Sequence, residues 1–257
     1  MLKNKKGIIF GIANDHSIAW GIAKKLNENG AELAITYQNE SLLKRVEPLA
    51  KKLNSNLLLE CDFNKEGSLE NTIKHITSKW DNIDFIIHAV AFSDKNELNG
   101  RYVETTKQNF INSLNISCYS FTKIAKLTQP FMKSGGSLIT LSFYGSSKVM
   151  PNYNVMGVAK AALETSVKYL SVDLGSQNIR VNAISAGPMR TLAGAAIANA
   201  RDVYKFTEVN SSLKRNVLLE ELGNSALYLV SDLSSAVTGE IHYVDCGFNI
   251  VGMPKSK

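Results

Sequence analysis

Lys6-Gly7-Ile8-Ile9-Phe10-Gly11-Ile12-Ala13-Asn14-Asp15-His16-Ser17-Ile18-Ala19-Trp20-Gly21 lies at the start of the chain. Lys6–Phe10 reads as a short buried strand and Ser17–Asn29 as a helix, joined by a glycine turn. Glycine lets the backbone turn sharply and approach a ligand closely. Ser17 is placed to cap the helix, whose first N–H groups then face an anion. That is the chemistry of a pyrophosphate site, with Gly11, Ala13, Ser17 and Ile18 around it. The stretch is not Gly-x-Gly-x-x-Gly, so a plain strand-to-helix turn is an equal reading. His16 reads as a loop residue rather than a ligand or a base.

Outward from this unit the same alternation repeats. Strands are expected at Glu32–Tyr37, Asn56–Glu60, Asp84–Val90, Ser137–Ser142, Ile179–Ser185 and Glu240–Asp245. Helices are expected at Ser41–Leu53, Gly67–Trp80, Asn154–Asp173 and in pieces over 190–230. A longer one spans Lys107–Lys133, bent near Asn115. About seven strands separated by helices imply one Rossmann-type, doubly wound parallel sheet in a single α/β domain covering residues 1–257. The Ala-rich stretch Thr191–Ala200 sits where a lid would be, around 190–211. An ordinary amphipathic helix is the bland alternative.

Composition narrows the function classes. The 257 residues are 44% hydrophobic and 20% charged, values of an ordinary folded domain able to bury a large core. Cys61, Cys118 and Cys246 are odd in number and widely spaced, which fits reduced thiols in a cytoplasmic protein. No run approaches the roughly 20 apolar residues of a membrane span. The net charge of +6 comes from scattered lysines without interleaved aromatics. It disfavours nucleic acid and suits an anionic cofactor or an acidic partner. No metal cluster is expected.

The second strand ends in Thr36-Tyr37-Gln38-Asn39, where dinucleotide folds place an acid for the ribose or a base for a 2′-phosphate. Gln38 and Asn39 are neutral, which favours NADH over NADPH. At the end of the third strand Asp62 either accepts from an adenine amino group or is a turn residue, with Phe63 beside it. The fourth strand ends in His88-Ala89-Val90-Ala91-Phe92-Ser93, with small residues that admit a nicotinamide ribose near Val90. His88 reads as structural.

Pro151-Asn152-Tyr153-Asn154-Val155-Met156-Gly157-Val158-Ala159-Lys160 carries the strongest pairing. Pro151 signals a helix entry. Tyr153 and Lys160 lie about two helical turns apart, near one face. A lysine there binds ribose hydroxyls, favours developing negative charge and lowers the pKa of a close tyrosine. A packed tyrosine and a solvated lysine are the ordinary alternative.

Three stretches resolve that choice. They are Gly11-x5-Ser17-Ile18-Ala19-x-Gly21, Met150–Ala161, and Arg180-Val181-Asn182-Ala183-Ile184-Ser185-Ala186-Gly187-Pro188-Met189-Arg190-Thr191-Leu192. In these the chain resembles the short-chain dehydrogenase/reductase superfamily and, within it, the bacterial enoyl-acyl-carrier-protein reductases. The resemblance runs from the first strand to Val244-Asp245-Cys246-Gly247-Phe248. It implies Tyr153 and Lys160 as the catalytic pair of a Tyr-x6-Lys motif. Carbonyl-reducing relatives, the rival reading, use Tyr-x3-Lys, and here Met156 holds that tyrosine's place. Moving the tyrosine one turn, about 5.4 Å, suits an oxygen two bonds beyond the carbon that takes the hydride.

The resemblance further implies NADH, with Met189, Arg190, Thr191, Leu192 and Ala193 running beside its nicotinamide amide and pyrophosphate. Substrate contacts are expected from Ser93, Phe143, Tyr153, Met156 and Ile197. A homotetramer and an acidic acyl-carrier partner are expected too, with Arg190, Arg201 and Lys205 near the portal. A solvated helix face explains the latter two equally well. One departure stands out: the family's second tyrosine is replaced by Phe143, and the neighbouring Tyr144 points to the opposite side of the strand.

Overall fold

The computed structural model describes residues 1–195 and 200–253. Its elements run β1 (Lys6–Phe10), α1 (Ile18–Glu28), β2 (Glu32–Tyr37), α2 (Glu40–Lys52), β3 (Leu57–Glu60), α3 (Ser68–Thr77) and β4 (Phe85–His88). Next come α4 (Lys107–Leu114), a π turn (Asn115–Tyr119), α5 (Ser120–Thr128), β5 (Gly136–Phe143), α6 (Val155–Gly175) and β6 (Ile179–Ala186). α7 (Leu192–Ala195), α8 (Ala200–Asn210), α9 (Leu219–Val230) and β7 (Ile241–Val244) complete the order.

The seven strands form one sheet in the order β3-β2-β1-β4-β5-β6-β7, with every neighbouring pair parallel. Alternation along each strand feeds two cores. Ile9, Leu33, Ile35, Ile87, Leu141 and Ile184 point to the face covered by α1, α2 and α9. Their neighbours Ile8, Phe10, Ala34, Ile86, Val181 and Ala183 point to the face covered by α3, α5 and α6. Strands buried on both sides therefore read as unbroken apolar runs. No helix among the described residues is long and apolar enough to cross a membrane.

Several boundaries differ from the sequence reading. β4 is four residues long and ends at His88; the Ala89 N–H still donates to the Phe10 carbonyl at 3.0 Å. The long helix stops at Thr128, where Pro130 lies in a 3₁₀ turn; its bend is the π turn over Asn115–Tyr119. Helix α6 starts four residues after Pro151, so the proline belongs to the preceding turn and not to the helix's first position. Asn152 and Asn154 take positive φ (58° and 41°) in that turn, a conformation asparagine tolerates better than most residues.

Candidate active site

The chain winds outward from β1 to β3 and then crosses to β4, so the strand order reverses between β1 and β4. Crevices beyond the strand C-termini at such a switch point are where doubly wound sheets take ligands. Gly11 follows β1 there with φ 103°, and a Cβ on it would run into the carbonyl oxygen of Ala89. Only glycine meets both demands. Ser17 stands at the N-cap position of α1, as expected, but does not cap with its side chain. Its hydroxyl oxygen accepts from the backbone N–H of Ala13 and of Asn14, each at 3.1 Å. The hydroxyl thus shapes the turn, and Ile18 begins the helix with its side chain against the core. His16 is exposed and paired with Asp15.

Asp62 is used as a turn residue. Its Oδ1 accepts from the Asn64 N–H at 3.0 Å and from Gln38 Nε2 at 3.4 Å. Phe63 packs on Phe10 and edge-on to His88. His88 is fully buried, with its two ring nitrogens bonded to Thr140 and Ser120 at 2.8 Å. Burial, helped by the nearby Lys160, pushes its pKa down to about 3, so the ring is neutral. Val90 is half-buried and packs on the core beneath α3, α5 and α6.

Tyr153 and Lys160 both lie against the C-terminal half of β5, the tyrosine on Phe143 and the lysine on the Leu141 carbonyl. Tyr153 stands in the turn two residues before α6 rather than on the helix. The Met156 N–H donating to its carbonyl at 2.9 Å carries the helical register back to it. Its ring is buried against Leu98, Met156 and Phe143. The Lys160 ammonium donates to the Leu141 carbonyl at 2.6 Å. The expectation that Lys160 lowers the tyrosine pKa does not hold. Burial, with the Glu164 carboxylate adding to it, holds the Tyr153 phenol well above its ordinary value. The lysine itself is pushed down to about 8 by burial, partly offset by Cys118 and Glu164.

Around this pair the other expected residues take distinct places. Phe143 meets Tyr153 edge-on, centroids 5.1 Å apart at 70°, while Tyr144 turns the other way and packs on Phe248. Met156 is buried, its sulfur 3.9 Å from the Ser117 hydroxyl on the π turn. Ser93 is held by Asn109 at 3.3 Å. Met189 packs on the core, and Leu192 is exposed. The Thr191 hydroxyl accepts from the Gly194 N–H at 2.9 Å, and Ala193 lies in the short α7. Arg190 lies over the ring of Tyr204 on α8, 4.5 Å from its centroid. Ile197 falls outside the described residues.

A model of the family described as enoyl-(acyl carrier protein) reductase matches residues 11–249. The chain belongs to the enoyl-acyl-carrier-protein reductase family. It is 58% identical over 254 residues to an enoyl-[acyl-carrier-protein] reductase [NADH] of Rhizobium meliloti, covering 99% of this chain and 95% of that one. The crystal structure of FabI from Candidatus Liberibacter asiaticus superposes with a TM-score of 0.97 at 55% identity, over 99% and 98% of the two chains. The Anaplasma phagocytophilum enzyme, solved in complex with NAD, gives 0.96 at 55% identity, over 99% and 97%.

Within this family member, sequence reasoning passed over Glu164. One of its carboxylate oxygens accepts from both Ser142 (2.5 Å) and Ser146 (2.6 Å). The available signal was its position, one helical turn beyond Lys160 on the same face. Ser117 was also missed: its hydroxyl bonds the N–H and carbonyl of Phe92, at 3.0 and 3.2 Å, and so ties the loop after β4 to the π turn.

Proposed function

We propose that this chain reduces the trans-2 double bond of enoyl thioesters borne on an acyl-carrier protein, with NADH, in type II fatty-acid synthesis. The observation that carries this is the buried Tyr153, walled by Phe143 and Met156, with Met156 occupying the position from which a carbonyl reductase's tyrosine would act. The crevice fits a dinucleotide. Gly11 leaves no side chain between the β1 and β4 ends, and Ala13, Ser17 and Ile18 form the turn a pyrophosphate needs. Gln38 offers the adenosine ribose a neutral partner. Asp62 and Phe63 would border the adenine, Val90 the nicotinamide ribose, and Met189 to Ala193 the nicotinamide amide and pyrophosphate.

NADH supplies, when bound, the hydride that adds to the substrate's β-carbon. The residues of the chain manage the rest. Lys160 leaves the Leu141 carbonyl or shares its donors with ribose hydroxyls, and its charge favours negative charge developing nearby. Tyr153, kept protonated by burial, donates its O–H to the thioester oxygen as that becomes an enolate. A proton then reaches the α-carbon and the saturated acyl chain results. Phe143, Met156 and Ser93 would border the acyl thioester, with the described parts of the expected lid, 190–195 and 200–211, on its open side. Phe143 supplies a wall but no second hydroxyl. NADH deuterated at the transferred position tests the assignment: the saturated product should carry deuterium at the β-carbon. Label at a carbinol carbon of a hydroxyacyl product would indicate the carbonyl-reducing alternative.

We further assign a homotetramer in the cytoplasm. Ile111 on α4, Tyr119 on the π turn, and Tyr169 and Val172 on α6 are exposed apolar side chains on adjoining helices, a surface suited to a symmetric self-interface. Light scattering measures the mass; a monomer at micromolar concentration would refute this.

A further inference from the structure

Loop 143–147 wraps the ring of Tyr153. Phe143 lies against one edge. A Cβ on Gly145 would sit 2.5 Å from Tyr153 Cδ1, so the bare backbone of the loop is pressed against the phenol ring. A Cβ on Gly157, in α6, would in turn sit 2.8 Å from the Gly145 carbonyl oxygen. The loop is therefore caught between the tyrosine and the helix, and any shift in it is felt by the ring. Its two ends meet at a single atom: Oε1 of Glu164 receives the hydroxyls of Ser142, at the end of β5, and of Ser146, in the 3₁₀ turn after that strand. Bonds to a carboxylate at these lengths are the strong, charge-assisted kind.

We propose that Glu164 is a positioning residue for Tyr153, clamping both ends of the loop that walls the phenol and so fixing the direction of its O–H. Successive turns of α6 thus hold successive residues of β5: Lys160 holds the Leu141 carbonyl and Glu164 the Ser142 hydroxyl. Without the carboxylate the buried Ser142 hydroxyl loses its acceptor, and the loop is held by packing alone. The same charge raises the Tyr153 pKa, which keeps the phenol in the form that donates. The inference rests on the catalytic reading of Tyr153.

The test uses the full-length enzyme with NADH and an enoyl thioester, comparing Glu164→Ala, Glu164→Gln and Tyr153→Phe. Glu164→Ala should lower kcat on the order of tenfold, short of the ~100-fold that a full ångström of misplacement can cost, with KM and NADH affinity within about twofold of wild type. Glu164→Gln keeps an acceptor oxygen at the same reach and should recover most of that kcat. A wild-type kcat in Glu164→Ala, or a glutamine variant no better than the alanine one, would overturn the proposal. Should Glu164→Ala not fold, Ser146→Ala removes one arm of the clamp and should lower kcat severalfold at unchanged KM; an unchanged kcat there would overturn it equally. A Tyr153→Phe enzyme with full turnover would instead defeat the catalytic reading itself.

Discussion

The ammonium of Lys160 donates to the carbonyl oxygen of Leu141 at 2.6 Å, in the C-terminal half of β5. A buried cation is held in reserve there, and burial lowers its pKa to about 8. A lysine whose folded pKa lies below its ordinary 10.5 binds fewer protons folded than unfolded between those values. Stability therefore carries an unfavourable contribution below about pH 8, which is relieved as pH rises toward 10.5. Denaturant unfolding of wild type and Lys160→Met across this window checks it. The wild type should gain relative to the variant as pH rises, by at most ~3 kcal/mol. Over the same rise NADH affinity of the wild type should fall as the cation is lost, while the variant binds weakly at every pH.

Tyr153→Phe removes one hydrogen bond to the developing enolate and leaves the packing against Phe143 and Met156. Turnover should fall by roughly 10- to 1,000-fold, with NADH affinity nearly unchanged. Steady-state kinetics on a carrier-length substrate, together with NADH fluorescence titration, separates the two quantities.

How much of this was legible in the sequence differs by scale. The strands were, because β1, β4, β5 and β6 are buried on both faces and show as short apolar runs between turn residues. The Tyr153/Lys160 pairing was legible through its motif. Ser17 misled: the residue type says helix cap, yet its hydroxyl turns back to the amides of Ala13 and Asn14, a choice made by the turn's own closure. The sign of the Tyr153 shift also misled. Seven-residue spacing places a lysine near a tyrosine but does not say that both are buried, and desolvation is the largest cause of both shifts here. For Glu164 only the spacing from Lys160 was legible; its partners Ser142 and Ser146 lie about twenty residues earlier and meet it only through the β5–α6 packing.

Gln38 stands at the end of β2 with its amide toward Asp62, offering no cation to a 2′-phosphate. Catalytic efficiency with NADH should exceed that with NADPH. Gln38→Arg should narrow or reverse the ratio. A wild-type preference for NADPH would point instead to Lys44 or Arg45 reaching the ribose.

Arg201 and Lys205 are exposed on α8, while Arg190 is engaged with Tyr204. The two exposed charges are placed to steer an acidic carrier. Their replacement by glutamate should lower efficiency on carrier-linked enoyl substrate and flatten its salt dependence, with little change on a coenzyme-A thioester. Equal losses on both substrates would mean that the residues support the helix rather than the partner.

The central claim is that this site reduces a carbon–carbon double bond and leaves a carbonyl alone. NADH consumption by the wild-type enzyme, offered a trans-2-enoyl thioester and, separately, the 3-ketoacyl thioester of the same length, tests it most directly. The account predicts NADH oxidation matched by saturated product with the first and none above background with the second. Oxidation with the ketoacyl thioester, and an enoyl thioester left untouched, would contradict it.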